Sequence, residues 1–435
     1  MLNQEKFAKD AMEMFRSLPD EGNDLYTRRY VAVDPGALAN VDLGKDHERQ
    51  VQELHGRLHA STKIWFDAIV SENGVKPLSE NGGAIRFAAF GSPEYGAALE
   101  RTPFQSATDK YVALVNATSR GALTVDVPDG GSLSLRLLFV NVKASLPLHM
   151  RVSVGQGARL HILEWHASAM RDAGFFGITR DIALRKAAAC SIDILHNENE
   201  STAIIENASG SAAEGSRLSV NYVYSGGSAA RARNRLSADG YGSRVRATEL
   251  AIASKRQKMD LNTSVVNAAG STEATLNSHV VAMHESLCYL KGFAGITEGS
   301  RNSRSFVEEH GMLIGGSAKI SSMPSMAISE NMVKATHSSA TGPIDEESMF
   351  YLMTKGIDER AARQLLITGF FSGPISRIED PTAREVASSV IIGKIRNNGE
   401  AEEAPTVTSA GAVWEGERDG GHDALEKHYK YRSEV

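Results

Sequence analysis

The chain has 435 residues, of which 42% are apolar and 23% are charged, which is typical of a soluble globular protein with a large core. Its formal net charge of −6 argues against nucleic acid or an anionic membrane surface as a partner. The amino-terminal segment is polar and no apolar run reaches the roughly 20 residues that span a bilayer, so we expect a cytoplasmic protein with no membrane contact.

Residues 1–80 carry two apolar stripes at helical spacing. The first stripe includes Ala8, Ala11 and Phe15, and the second extends over residues 51–69. The phrase at residues 34–36, Asp-Pro-Gly, predicts a loop between the two stripes. We therefore predict an N-terminal helical region.

The sequence pattern changes over residues 85–342. There, short alternating or apolar runs recur between turns rich in glycine, asparagine, serine and aspartate. Helix signals are nearly absent over this span. So many short strands between glycine turns suit a stacked β-solenoid, a sandwich or a barrel. The predicted strands include residues 110–115, 133–142, 192–196, 244–252 and 274–281.

Repeated turn phrases favour the solenoid over the sandwich. Similar glycine-containing phrases begin at Ala208, Ala238 and Ala268, roughly 30 residues apart, which is a repeat length expected of stacked units. Many strand positions carry small side chains, which allow stacked coils to approach closely. The fold class that we predict is mainly β, with a parallel β-helix core at residues 85–342.

Helical signals return at residues 343–396. Asp345 is a candidate N-cap, Gly356 ends the first helix, and Asp358 caps the second. Residues 378–395 predict a third helix with Pro381 in its first turn.

The remaining residues, 397–435, are polar and of mixed charge, with Trp414 as an apolar anchor. This composition predicts a flexible tail.

The only cysteines are Cys190 and Cys288, which excludes a disulfide framework and a four-thiolate site within one chain. Metal chemistry would need nitrogen and oxygen ligands, thiolates from elsewhere, or two copies of the chain. The phosphate-loop pattern G-x-x-x-x-G-K-[ST] does not occur in the sequence, so we expect no nucleotide to bind this chain and no ATPase activity of its own.

Three phrases in the last third of the chain are distinctive. They begin at Lys291 (Lys-Gly-Phe-Ala-Gly-Ile-Thr-Glu-Gly), at His310 (His-Gly-Met-Leu-Ile-Gly-Gly) and at Ala335 (Ala-Thr-His-Ser-Ser-Ala-Thr-Gly-Pro-Ile-Asp-Glu-Glu-Ser-Met-Phe-Tyr-Leu-Met-Thr-Lys-Gly-Ile). All three resemble phrases of the SufB/SufD family of iron–sulfur cluster assembly scaffolds. The resemblance is specific over residues 262–371 and softer back to residue 151. Lys355 departs from the family pattern, which has arginine there.

The resemblance implies a right-handed parallel β-helix with helical ends and a transient iron–sulfur cluster as cofactor. It also implies that the C-terminal helices, residues 343–396, dock onto SufC-like ABC ATPase subunits, whose ATP-driven association would open the site between two β-helices. A single SufB/SufD-like chain would form a homodimer in place of the usual heterodimer.

The resemblance also implies which residues bind iron or the nascent cluster. The family's strand histidine falls on His337, and the SufB-like cysteine position falls on Glu309, so that a carboxylate replaces a thiolate. A second family cysteine falls near His166. Carboxylate and imidazole suit Fe(II), and Glu309 and His337 of two chains would supply up to four ligands across a two-fold axis. Weaker candidates for ligands are His310, Glu308 and Cys288.

The resemblance places the ATPase-docking surface on the helices after the β-helix. The docking residues expected there are Phe350, Tyr351, Leu352, Gly356, Ile357, Leu365, Leu366 and Phe370.

Two other functions remain open. A β-helix carbohydrate-active enzyme would need an aromatic groove with paired carboxylates, but aromatic residues make up only 6% of the chain. The other alternative is a structural adaptor that docks an ATPase without iron chemistry.

Overall fold

The computed structural model describes residues 4–18, 47–100, 109–142, 145–168 and 174–396. The predicted loop at residues 34–36 and the predicted tail at 397–435 lie outside these residues. None of the helices in the described ranges is both long and apolar enough to cross a bilayer.

Helices lie before the β-strands, beside the first strands and after the last one. A short 3-10 helix at Asn81–Ala84 accompanies them. The α-helices are α1 (Gln4–Ser17), α2 (His47–Thr62), α3 (Pro93–Glu100), α4 (Lys110–Thr118), α5 (Glu346–Thr354), α6 (Glu359–Ser376) and α7 (Pro381–Arg396).

Within the described residues, the strands form two ten-strand sheets, called sheet A and sheet B. Sheet A contains β1 (Ala68–Ser71), β2 (Gly74–Pro77), β5 (Ser132–Asn141), β7 (Arg159–Ser168), β9 (Ala189–His196), β11 (Arg217–Tyr224), β13 (Arg244–Ala253), β15 (Glu273–Met283), β17 (Arg304–Ile314) and β20 (Lys334–Pro343). Sheet B contains β3 (Ile85–Ala89), β4 (Gly121–Val127), β6 (Leu146–Val154), β8 (Gly174–Leu184), β10 (Thr202–Ala212), β12 (Ala229–Ala238), β14 (Lys258–Asn267), β16 (Leu287–Ile296), β18 (Lys319–Ser322) and β19 (Ser325–Ile328).

From β5 to β17 the chain alternates between the two sheets, each strand from β5 to β16 pairs in parallel with the strand two further along, and β17 pairs in parallel with β20. This is the topology of a parallel β-solenoid, so the predicted fold class is confirmed and the sandwich is excluded. Register partners on successive coils, such as Arg244, Glu273, Arg304 and Lys334, are about 30 residues apart. The spacing of the turn phrases is therefore the length of one coil.

Two apolar layers hold the solenoid and its helices together. The interior between the sheets is filled by alternate strand residues such as Val220, Leu276 and Val307. The outer face of sheet A forms a second layer, in which Trp165 and Leu250 pack in one cluster with side chains of α2, α6 and α7. Helices α6 and α7 are thus attached to the outer face of sheet A.

The first two C-terminal helices begin as the sequence predicts, and the third begins three residues after the predicted start at residue 378. The Asp345 carboxylate accepts hydrogen bonds from the N–H groups of the first turn of α5, and the Asp358 carboxylate accepts one in α6. Gly356, after the end of α5, has φ +86°, a conformation that glycine adopts without a steric penalty. Pro381 is the first residue of α7.

Two local predictions were wrong. Residues 110–115 form the first two-thirds of α4 rather than a strand, because the Asp109 carboxylate caps this helix at the N–H groups of Tyr111 and Val112. Within the predicted second helical stripe, residues 68–71 form strand β1, which pairs in parallel with β5. The apolar residues after α2 therefore belong to a coil of the solenoid and not to a longer helix.

Candidate metal centre

Two columns of side chains point into the solenoid and lead to its carboxyl-terminal coil. In sheet A, the register places Val220, Ala247, Leu276 and Val307 on successive strands, and the next position, on β20, is His337. Since all four preceding residues belong to the interior apolar cluster, His337 lies on the inward face of its strand.

The neighbouring column brings Glu309 beside this histidine. Tyr222, Glu249, Ser278, Glu309 and Ser339 are register partners on β11, β13, β15, β17 and β20. Ser339 is two residues from His337 on the same strand, so Glu309 and His337 occupy adjacent inward positions at the last coil. The structure therefore brings together the two residues that the sequence singled out. We call Glu309, His337, Ser322 and Ser339 the open-end site.

Glu309 is fully buried and held by several hydrogen bonds. Its Oε1 accepts the backbone N–H of Gly292 at 2.5 Å, and its Oε2 accepts the hydroxyl of Ser322, which lies 2.6 Å from the Ser339 hydroxyl. Burial raises the pKa of Glu309, and the bond from Ser322, the bond from Gly292 and the nearby His337 offset part of that rise. The carboxylate is thus positioned before any ligand binds.

Glycine at position 292 permits this approach. A Cβ there would lie 2.7 Å from Glu309 Oε1 and 2.7 Å from Val307 Cγ1, both closer than van der Waals contact allows. The side chain of Glu309 therefore lies against the bare backbone of β16.

His337 differs from Glu309 in exposure, because it lies on an edge. β20 is the last strand of sheet A, and most of its residues, His337 included, are exposed in the part of the chain that the structure describes. The open-end site therefore combines a buried carboxylate with an accessible imidazole.

Strand alternation separates the weaker candidates Glu308 and His310 from this site. Both point to the outer face of β17, where Asn277 donates a hydrogen bond of 2.6 Å to Glu308 and the His310 ring centroid lies 4.8 Å from that of His279. Side chains on the outer face cannot share an ion with the inward Glu309.

The remaining weaker candidate, Cys288, lies in the interior apolar cluster and is 1% exposed. Burial raises the pKa of its thiol to about 12, so the thiolate form that would bind a metal is strongly disfavoured.

The comparison with known proteins decides the family. The family described as SUF system FeS cluster assembly, SufBD core domain, matches residues 140–370, which is more than half of the chain. The chain belongs to the SufBD family. The matched range contains β6 to β20, α5 and most of α6, and it includes both residues of interest at the open end. The SufBD core therefore covers most of the solenoid and the helices that follow it.

Individual relatives match shorter stretches. A SufBD family protein of Mycobacterium leprae is 40% identical over 81 residues, covering 18% of this chain and 21% of the relative. One of Synechocystis is 24% identical over 136 residues (31% and 28%), and the cluster assembly protein SufB of Bacillus subtilis is 24% identical over 131 residues (30% and 28%). The chain thus aligns with about a quarter of the length of these relatives.

The SufBD core also contains a buried charged cluster that the sequence did not predict, although one member, His166, lies near a family cysteine position named above. Arg180 Nη2 lies 2.7 Å from Glu164 Oε2, and its Nη1 bonds to Glu206. His166 Nε2 lies 2.9 Å from Glu164 Oε2, and His196 Nδ1 lies 2.9 Å from Glu198 Oε1. We call Glu164, His166, Arg180, His196, Glu198 and Glu206 the buried ionic cluster, since every member is at most 4% exposed.

Burial and the neighbouring charges shift the pKa values of the side chains in this cluster. Burial alone would raise the pKa of Glu164, but the Arg180 guanidinium and the bond from His166 outweigh it and hold the pKa below its ordinary value. Burial lowers the pKa of His166. At His196 the carboxylates of Glu198 and Glu206 outweigh burial and raise the pKa to about 9.

The residues expected to dock an ATPase differ in exposure. Phe350 and Tyr351 on α5 are 70% and 60% exposed, and Leu365 on α6 is 55% exposed. Phe370 instead packs against sheet A, with its ring centroid 5.0 Å from that of His279. The other predicted docking residues comprise three partly buried side chains and one exposed glycine: Leu352, Ile357, Leu366 and Gly356.

Proposed function

We propose that this SufBD protein is a scaffold in iron–sulfur cluster assembly. It builds or holds a nascent cluster between two copies of the chain, under the control of a SufC-like ABC ATPase. The observation that carries the proposal is the open-end site, where Glu309 and His337 lie side by side at an exposed edge of the SufBD core. The chain acts in the cytoplasm without catalysing a reaction or binding nucleotide itself.

The chemistry of the open-end site supports transient iron binding. A carboxylate and an imidazole are harder ligands than thiolates, and they bind Fe(II) well while holding a sulfide-bridged cluster less tightly. Release is part of the task of a scaffold, since the cluster passes to another protein. Glu309 is fixed by Gly292 and Ser322, so one ligand is preorganised, while the exposed His337 completes the site when iron arrives.

The edge of sheet A supports homodimer formation. An exposed edge strand presents unpaired N–H and C=O groups and tends to pair with another strand. A two-fold axis beside β20 would align two edges and bring Glu309 and His337 of both chains to one place. Each chain alone supplies two ligands, which is too few to hold a cluster.

The surface of α5 and α6 supports docking of the ATPase. Phe350, Tyr351 and Leu365 are large apolar residues that the protein leaves in solvent, and such patches mark interaction sites. The buried Ile367 and Phe371 attach the opposite side of α6 to the apolar cluster on sheet A. An ATPase bound to this pair of helices would pull directly on the solenoid.

The iron chemistry is tested by anaerobic reconstitution of the full chain with Fe(II) and sulfide. We expect cluster absorption that Glu309→Ala or His337→Ala abolishes, whereas Glu308→Ala and His310→Ala retain it because those side chains lie on the outer face. If the wild-type chain binds the ATPase but forms no cluster, the protein is a structural adaptor and the scaffold proposal is wrong.

The dimer is tested by sedimentation of the chain. We expect Ser338→Asp, which introduces a charge on β20, to yield monomers, while Ser209→Asp on the central strand β10 leaves the dimer intact. A wild-type protein that sediments as a monomer at all concentrations would contradict the homodimer.

Docking is tested by co-purification with a SufC-like ATPase. Removal of residues 345–371 should abolish binding, but it also uncovers the apolar face of sheet A, so surface substitutions are the sharper test. We expect the triple variant Phe350→Ser, Tyr351→Ser, Leu365→Ser to lose the ATPase. Tyr241→Ser, which changes another exposed aromatic residue, should keep it. Retention by the triple variant would refute docking through these helices.

A further inference from the structure

The buried ionic cluster contains three side chains that can ligate one ion. His166 on β7, His196 on β9 and Glu198 just after β9 each offer a nitrogen or oxygen atom, and these three atoms all lie within 4.8 Å of one another. The two histidines are fully buried and Glu198 is 4% exposed. Two imidazoles and one carboxylate form a donor set that divalent first-row transition metals use, whereas Mg²⁺ and Ca²⁺ prefer oxygen alone.

Each of the three side chains has one atom without a hydrogen-bond partner among the described residues. On His196 this atom is Nε2, which lies 3.5 Å from Glu206 Oε2. His166 Nε2 is engaged with Glu164, while its Nδ1 has no hydrogen-bond partner among the described residues. Glu198 Oε1 is engaged with His196 Nδ1, and Glu198 Oε2 lacks a partner in the same ranges. A metal-bound histidine characteristically donates its other ring N–H to a carboxylate, which fixes its tautomer. Glu164 stands in that position behind His166.

The charge of the cluster favours a cation. The carboxylates of Glu164, Glu198 and Glu206 face the guanidinium of Arg180 and the imidazole of His196, and all five side chains are out of solvent. Burying unequal charges is costly, and a protonated His196 with Arg180 offsets two of the three negative charges. A dication that displaces the proton of His196 would balance the three carboxylates together with Arg180.

We propose that the buried ionic cluster binds one divalent transition-metal ion, of the class of Fe(II) and Zn(II), through His166, His196 and Glu198. Glu164 is a positioning residue that orients His166. Because β7 and β9 are neighbours in sheet A, the ion clamps two adjacent coils of the solenoid. The site is independent of the proposed function at the open end.

The test measures metal uptake by the full chain. Since the ligands are buried, Co(II) and, anaerobically, Fe(II) are supplied during refolding from urea as well as to the native protein. We expect one tightly bound equivalent, with visible ligand-field bands for Co(II) that report nitrogen and oxygen ligands. Loss of this equivalent is expected for His196→Gln and Glu198→Gln, and Glu164→Gln should weaken it by about 10- to 100-fold.

Two controls isolate the site. His279→Gln changes a histidine that packs against His310 and Phe370 and should leave uptake unchanged. The double variant Glu309→Gln, His337→Ala should keep the equivalent, which separates this site from the one at the open end. If variants fail to fold, crystals of wild-type protein grown with Co(II) should give an anomalous peak between His166 and His196. Absence of uptake and of this peak, or full uptake by a folded His196→Gln, would overturn the proposal.

Discussion

Replacement of Arg180 by methionine probes the buried ionic cluster directly. The guanidinium contacts Glu164 at 2.7 Å and also bonds to Glu206, and all three side chains are fully buried. Methionine fills much of the same volume, so the substitution removes mainly the positive charge. Breaking a buried ion pair by removing one partner costs about 3–5 kcal/mol, because the other charge stays buried without compensation. We expect the free energy of unfolding at neutral pH to fall by that amount.

The loss should depend on pH with a definite sign. In the wild-type protein the pKa of Glu164 lies below its ordinary value of 4.5, so its contribution is present above pH 4.5 and is lost as the pH falls through the lower folded value. Arg180→Met removes the largest of the influences that lower this pKa, so we expect the pKa of Glu164 to be higher in the variant than in the wild-type protein. The penalty of the substitution is then greatest at neutral pH and shrinks as the pH falls toward about 5.

The assay is urea denaturation followed by circular dichroism, at neutral pH and near pH 5. Arg217→Met, which changes an exposed arginine on β11, is the matched control and should have a small effect at both pH values. If Arg180→Met lies within about 1 kcal/mol of this control at neutral pH, or if its penalty grows as the pH falls, the account of the cluster is wrong.

Three further predictions concern packing, thiols and caps. Gly292→Ala should destabilise the protein by about 1–3 kcal/mol in urea, because its Cβ meets Glu309. Gly56→Ala in α2, where a Cβ meets nothing within 4 Å, should stabilise the protein by up to about 1 kcal/mol. If Gly292→Ala were the more stable of the two variants, the steric argument would be wrong. Cys190 and Cys288 should not react with a thiol reagent in the native protein and should both react in urea, so a native reaction at Cys288 would place it outside the core. Asp358→Ala should cost α6 about 1 kcal/mol, measured as faster amide exchange in that helix, and Asp358→Ser should restore most of the protection.

The solenoid could be predicted because its signal repeats. Each coil needs turns at nearly the same interval, so the spacing of the phrases near Ala208, Ala238 and Ala268 gives the length of one coil. The errors fell where tertiary contacts override local pattern. Residues 110–115 have the apolar and β-branched character of a strand, but the Asp109 cap and packing against Phe15 of α1 in one apolar cluster favour a helix.

The open-end site and the buried ionic cluster differ in how much of each could be predicted from the sequence. Glu309 and His337 came from a resemblance, and only the register shows that both point inward. The buried ionic cluster draws residues from several strands, so no local motif marks it. A signal existed in retrospect, because His166 and His196 are one coil period apart and are therefore stacked in sheet A. That spacing has meaning only after the coil length is known.

The two ends of the solenoid are built differently, and this difference bears on the proposed function. At the amino-terminal end, antiparallel pairing of β2 with β1 and of β3 with β4 terminates both sheets, whereas β20 ends sheet A as an exposed parallel strand. Stacked coils stabilise one another through their neighbours, so we expect the uncovered last coil to be less stable than the coils that have a neighbour on each side. Pairing with a second copy would stabilise that coil and, in the same step, bring a second His337 to the open-end site. Ser338→Asp should therefore lose the dimer and iron binding at the open end together, while the metal in the buried ionic cluster remains. A monomeric variant that still forms the cluster would show that one chain is sufficient.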